Sequence, residues 1–136
     1  MTTPEYPQAR PTITNAPLLD GWKRGELMLQ HCGDCKAVIF FPREMCPQCW
    51  SDKLAWKRSN GRGRIVSFAR VYKHVTPPFA EEAPTVLAEI DLADGVTMMA
   101  RVATDDVAGV VSGMAVELVP MPEAARYPLP TFRPAS

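Results

Sequence analysis

Histidine is scarce in this chain, with two in 136 residues, and cysteine is absent outside one stretch from Cys32 to Cys49. Cysteines gathered in this way do not make a disulfide framework, which would spread them along the chain. Long apolar runs are missing as well. The longest, Ala37 to Phe41, is far too short to cross a bilayer. Met1 to Arg10 has no apolar stretch and carries Glu5, so it does not read as a secretory signal. These absences lead to the expectation of a cytoplasmic protein with no membrane partner. An excess of one charge sign is also lacking, since fifteen Lys and Arg balance fifteen Asp and Glu. Duplex-binding proteins usually show a clear basic excess, so the balance counts against nucleic acid as the main partner. No Gly-x-Ser-x-Gly, P-loop or complete Gly-x-Gly-x-x-Gly occurs, and the chemistries those motifs mark are left without support.

What the chain does have is enough apolar material for a core, at 46% hydrophobic residues. Residues 1–16 read as an extended arm, kept open by Pro4, Pro7 and Pro11. Residues 17–58 hold a helix and a cysteine ribbon. The helix is expected over 17–30, with Asn15 as N-cap, Pro17 in the first turn, and Leu18, Leu19, Trp22 and Leu29 on one face. Gly21 and Gly25 oppose that helix, and Trp22 reads as a core or interface anchor. Residues 59–136 form the second unit. Gly61-Arg62-Gly63 is a tight entry into a long, curved strand, Ile65–Val75, and a loop runs from Thr76 to Pro84. Val86, Ala88, Ile90 and Leu92 alternate on one face, Asp94-Gly95 signals a hairpin, and Val96, Met98, Ala100 and Val102 alternate again. A turn or short helix follows over 105–114, then a strand around Val116 and Leu118. Five prolines between Pro120 and Pro134 make the tail extended, either paired at a sheet edge or docked. The fold class is mainly β: an N-terminal helix and a zinc ribbon followed by a small five-stranded OB-fold barrel. A split barrel or small sandwich is the alternative.

The cysteines come as Cys32-Gly-Asp-Cys35 and, ten residues later, Cys46-Pro-Gln-Cys49. A Cys-x-x-Cys turn aims two thiolates at one point, and two such turns at the ends of a hairpin supply a tetrahedral site. Four sulfur ligands leave no open position, so Zn2+ there is structural and activates no water. Iron is the rival metal, because rubredoxins use the same ligand set. A dithiol redox pair is the second rival, but such pairs normally come singly in a βαβ context that is absent here.

With all four thiols assigned to metal, little remains for catalysis. His31 abuts the ribbon and reads as a surface residue; His74 ends the long strand and reads as a polar strand-end residue that could touch a ligand. The charge distribution is less even than its total. Six basic residues and no acidic one lie between Lys57 and Lys73, and seven acidic residues and one basic lie between Glu81 and Asp106. The plain reading is a solvated strand. The functional reading is a phosphate-binding strip of Arg62, Arg64, Arg70 and Lys73, with Phe79 of the proline-containing loop walling a ligand entrance.

The series Trp22, Gly25-Glu26-Leu27, Gln30-His31-Cys32-x-x-Cys35, Phe41-Pro42-Arg43, Cys46-Pro47-x-Cys49, Trp56 and Ser59-x-Gly61-x-Gly63 resembles a bacterial and archaeal family that joins a rubredoxin-like zinc ribbon to an OB-fold. It was long catalogued as a domain of unknown function, DUF35. Asp94-Gly95, Gly113-Met-x-Val116 and Leu129-Pro-x-Phe132-Arg-Pro134 extend the resemblance, which runs from about Leu18 onward. Lys36 and Trp50 depart from it, standing where many ribbons have glycine. The resemblance implies an accessory protein of acyl-CoA chemistry, a hetero-oligomer with a thiolase-fold enzyme of the lipid-transfer-protein type or a hydratase-like domain. The reacting Cys and His would then belong to the partner, and this chain would support assembly and binding of the coenzyme A thioester. Two other readings stay open: a single-stranded nucleic-acid-binding OB-fold, for which Phe68 and Tyr72 on the basic strand would serve, and a stand-alone acyl-CoA enzyme.

Overall fold

The computed structural model describes residues 9–72, 84–119 and 130–135. The first element among the described residues is a helix, α1 (Ala16–Lys23). It is shorter than the expected 17–30 because Gly25 takes φ 77° and closes the helix. The Gly25 N–H donates to Trp22 O at 2.9 Å and the Glu26 N–H to Gly21 O at 2.8 Å, the two bonds of a Schellman stop. Asn15 does not cap α1 with its side chain. Its Oδ1 accepts from the Thr12 N–H at 2.6 Å, so it serves the preceding turn instead. Leu29, expected on the helix, lies on the first strand.

That strand is β1 (Met28–Cys32), flanked by β2 (Val38–Ile39) and β3 (Leu54–Arg58) in an antiparallel sheet of order β2-β1-β3. Side chains alternate across β1. Gln30 and Cys32 turn toward the cysteine cluster with Ile39, while Leu29 turns the other way into the main core.

The second unit is a closed barrel. Its strands are β4 (Arg62–Val71), β5 (Thr85–Leu92), β6 (Thr97–Val102), β7 (Ala115–Leu118) and β8 (Thr131–Pro134). They close in the order β4-β5-β6-β8-β7. All neighbours are antiparallel except β6 and β8, which run parallel. This is the five-stranded Greek-key arrangement of an OB-fold. The alternation read from β5 and β6 holds: Val86, Ala88 and Ile90 are fully buried, and Met98, Ala100 and Val102 are nearly so. In β4 the register slips between Ile65 and Ser67, leaving Val66 as an exposed bulge. A bulge bends a strand sharply; ahead of it Arg62–Arg64 pair with β7, and from Gly63 onward β4 pairs with β5. The tail corrects the sequence reading of its last segment. Thr131–Pro134 is no edge strand; it lies between β6 and β7 and closes the barrel, with Phe132 fully buried.

Ribbon and barrel share one core. Leu27, Leu29 and Phe40 from the ribbon side belong to the same buried cluster as Ile65, Ile90, Val116 and Phe132. Trp22 of α1 packs on Val119 and Leu118 at the end of β7. At the junction the buried Ser59 donates its hydroxyl to Asp94 Oδ1 at 2.6 Å and accepts the Gly61 N–H at 3.0 Å. The hairpin turn between β5 and β6 is thus tied to the segment that leaves the ribbon. Among the described residues no helix is long and apolar enough to cross a membrane.

Candidate functional site

Two knuckles build the cluster. In the first, the Lys36 N–H donates to Cys32 O at 3.2 Å and the Cys35 N–H points at Cys32 Sγ at 3.5 Å. In the second, the Trp50 N–H donates to Cys46 O at 2.9 Å and the Gln48 N–H points at Cys46 Sγ at 3.4 Å. Each knuckle needs a left-handed residue just after its second cysteine, and Lys36 (φ 67°) and Trp50 (φ 66°) adopt it although neither is glycine. The knuckles are also tied to each other. The Ser51 hydroxyl donates to Asp34 Oδ2 at 2.5 Å, and the Gly33 N–H donates to Lys53 O at 2.7 Å.

The four sulfurs lie within 4.8 Å of one another, with Cys32 to Cys49 at 3.6 Å and Cys35 to Cys46 at 3.5 Å. A tetrahedron of sulfurs around zinc, at about 2.3 Å from the metal, has edges of about 3.8 Å. The donor set and its spacing therefore fit a closed four-thiolate Zn2+ site. Cys32 and Cys46 are buried, Cys35 and Cys49 exposed. The N–H of Cys35 lowers the Cys32 thiol to about 6 against the desolvation of its site. The N–H of Ala37 pulls the Cys35 thiol down, but desolvation and the neighbouring thiols of Cys46, Cys49 and Cys32 outweigh it and push that group up to about 12. The Cys32 thiol ionises readily while those of Cys35 and Cys49 are pushed up, as expected where would-be anions converge; a divalent cation relieves that repulsion.

Gln30, named in the sequence reading only within the family series, has a structural role. Buried at 4% exposure, its amide donates to Arg43 O and accepts from the Arg43 N–H, both at 2.8 Å. This clamp holds the Phe41-Pro42-Arg43 step against β1. Its signal was present in the sequence: a glutamine two residues before the first cysteine, on the same strand face as that cysteine.

The basic strip divides. Arg62 and Arg64 line one groove on the outside of β4, together with Asp91 and Glu117. Arg70 lies elsewhere. Its guanidinium sits 4.8 Å over the half-buried Phe68 ring and donates to Val107 O at 2.9 Å, Ala108 O at 3.2 Å and Val110 O at 2.9 Å. It thereby satisfies two carbonyls of the 3-10 turn Val107–Gly109 and that of Val110 just after it. Lys73, His74 and Phe79, with the Pro77-Pro78 step, lie outside the described residues. Tyr72 is exposed at the end of β4, and His31 is half-buried on β1.

Comparison with known proteins places this architecture. Residues 19–55 match the family model described as the ChsH2 rubredoxin-like zinc ribbon domain, and residues 56–119 the ChsH2 C-terminal OB-fold domain. A probable enoyl-CoA hydratase alpha subunit from Thermomonospora curvata is 31% identical over 137 residues, covering 97% of this chain and 41% of that protein. The chain thus spans less than half the length of this relative. A DUF35 domain-containing scaffold protein from Methanothermobacter thermautotrophicus is 32% identical over 98 residues, covering 71% of this chain and 73% of that one. Among solved structures, a chain of the Ltp2-ChsH2(DUF35) aldolase superposes with a TM-score of 0.76 at 28% identity, over 95% of this chain and 100% of that one. Cysteine ribbon, OB barrel and these matches together make the chain a member of the DUF35 family, in its ChsH2-like form.

Proposed function

We propose that this chain is a non-catalytic subunit of an acyl-CoA enzyme complex, with structural zinc, partnered by a thiolase-fold enzyme that carries the reacting groups. The observation that carries this reading is end-to-end similarity to a chain of an Ltp2-ChsH2(DUF35) aldolase, supported by the likeness to DUF35 scaffold proteins. The chemistry of the described residues agrees with it. All four thiols converge on one point, which suits a metal and leaves no cysteine over as a nucleophile. The nucleic-acid reading gains little, since β5 and β6 contain no aromatic residue and Phe68 packs inward against the core.

The ribbon offers a surface suited to a partner protein. Phe41, Met45 and Trp50 are large apolar side chains left exposed at 69%, 46% and 75%. The test is co-purification from the native host followed by reconstitution. The expected result is a thiolase-fold protein bound to this chain, with turnover by the complex and none by the isolated chain. Robust turnover by the isolated chain, lost in His74→Ala, would overturn the accessory role.

A further inference from the structure

Arg62 and Arg64 stand on either side of Gly63, where β4 lies between β5 and β7. They line an open groove of about 440 Å3, with Asp91 on the β5 side and Glu117 on the β7 side. The charges in it are not equally available. Glu117 is the cross-strand neighbour of Arg62, but its Oε1 accepts from Arg133 Nε at 3.1 Å. Arg64 places Nη1 on Gly113 O at 3.1 Å and keeps its other donors. Arg62 has no side-chain hydrogen bond or ion pair among the described residues. The groove therefore holds one guanidinium with its whole donor fork unused, a second partly used, and two carboxylates, Glu117 held by Arg133 and Asp91 able to accept from a hydroxyl. No aromatic side chain lines it, so a planar base has nothing to stack on.

We propose that this groove is a phosphoryl-binding subsite, with Arg62 and Arg64 holding the phosphate and Asp91 accepting from an adjacent hydroxyl. Guanidinium forks match phosphate oxygens two at a time, and that geometry separates arginine from lysine at such sites. Resting on the accessory reading above, the ligand is the phosphate-bearing end of a coenzyme A thioester whose acyl end reaches the partner enzyme. Arg70 takes no part, because it does not line this groove and its Nε and Nη2 hold the carbonyls of Val107, Ala108 and Val110.

Arg62 is the position to test, since removing it breaks no bond that the fold uses. Isothermal titration of the full zinc-loaded chain would compare coenzyme A, 3′-dephospho-coenzyme A, ADP and inorganic phosphate, for wild type, Arg62→Glu and Arg62→Lys. In the reconstituted complex the same variants would be read as KM and kcat for acyl-CoA. The expected result is a loss on the order of tenfold in coenzyme A affinity for Arg62→Glu, shrinking with added salt, and a smaller loss for Arg62→Lys. KM should rise by a similar factor with kcat unchanged, because this end of the ligand is remote from the reacting carbon. Should charge reversal disturb assembly, Arg62→Gln removes the charge alone and gives the same readout. Unchanged affinity and unchanged KM in a complex that assembles and turns over would overturn the subsite while leaving the accessory role intact. So would inorganic phosphate binding as tightly as coenzyme A, or a single-stranded oligonucleotide whose binding Arg62→Glu abolishes. A wild-type chain that binds coenzyme A through Arg62 but captures no thiolase-fold partner would keep the subsite and remove the accessory role.

Discussion

Trp50 and Lys36 hold left-handed backbone at the two knuckles, where glycine would sit without strain. A bulky residue there costs roughly 1–2 kcal/mol, partly offset because glycine loses more backbone entropy on folding. Trp50 is 75% exposed and gives up little packing when removed. Trp50→Gly is therefore expected to stabilise the zinc-loaded chain by about 0.5–1 kcal/mol, seen as a higher denaturation midpoint; a lower midpoint would mean that the indole packs on the ribbon after all. The sulfur ligands behave oppositely. Cys46→Ser is expected to abolish stoichiometric zinc and unfold the ribbon, since a structural site carries roughly 10 kcal/mol or more of binding free energy. Elemental analysis should find one zinc in the wild type and essentially none in the variant. Stoichiometric iron with a red colour would reassign the metal. The four cysteines were legible because Cys-x-x-Cys turns are local: a separation of three residues sets their geometry. The role of Arg70 was not legible, because its acceptors lie far along the chain, Val110 being 40 residues away.

Among the elements, β4 has the most demanding geometry. It enters through Gly61 at φ 75°, bulges at Val66 and pairs on both sides. At Gly63 an added Cβ would stand 2.7 Å from Ile90 Cγ2 and 2.8 Å from the backbone oxygen of Asp91. Because one of these atoms is backbone, the strand itself must shift. Gly63→Ala is expected to destabilise the barrel by about 1–3 kcal/mol, measured by chemical denaturation; an unchanged midpoint would show that β4 can ride up over β5 freely. Helix α1 shows why element boundaries were harder to read than element types. Apolar spacing alone carried the helix through Leu29, yet the Gly25 stop ends it at Lys23 and hands Leu29 to β1. Periodicity over a single turn does not separate a helix face from the inner face of a short strand.

At the scale of the molecule, ribbon and barrel are joined by a common core rather than by a linker. Leu27, Leu29 and Phe40 sit among barrel residues, and Ser59 with Asp94 closes the seam. Loss of the metal should for that reason reach the barrel. Chelation of zinc is expected to lower protection of β5 and β6 amides in hydrogen exchange together with those of β1. Full protection of β5 after the metal is gone would mean two independently stable units.

The sequence by itself determined the metal site, the β4–β6 meander and the family, because each is written in short-range signals: paired cysteines, strict alternation over Val86–Leu92, and a turn at Asp94-Gly95. Tertiary structure alone decided three things. Thr131–Pro134 became the strand that closes the barrel, since only β6 and β7 in place offer two open edges to fill. The basic strip split into a groove pair and a turn-capping arginine, because the bulge at Val66 reverses which face later residues of β4 present. And the ribbon was joined to the barrel, because Leu27, Leu29 and Phe40 exceed what the small cysteine sheet can bury alone, and the barrel core supplies the apolar surface they need.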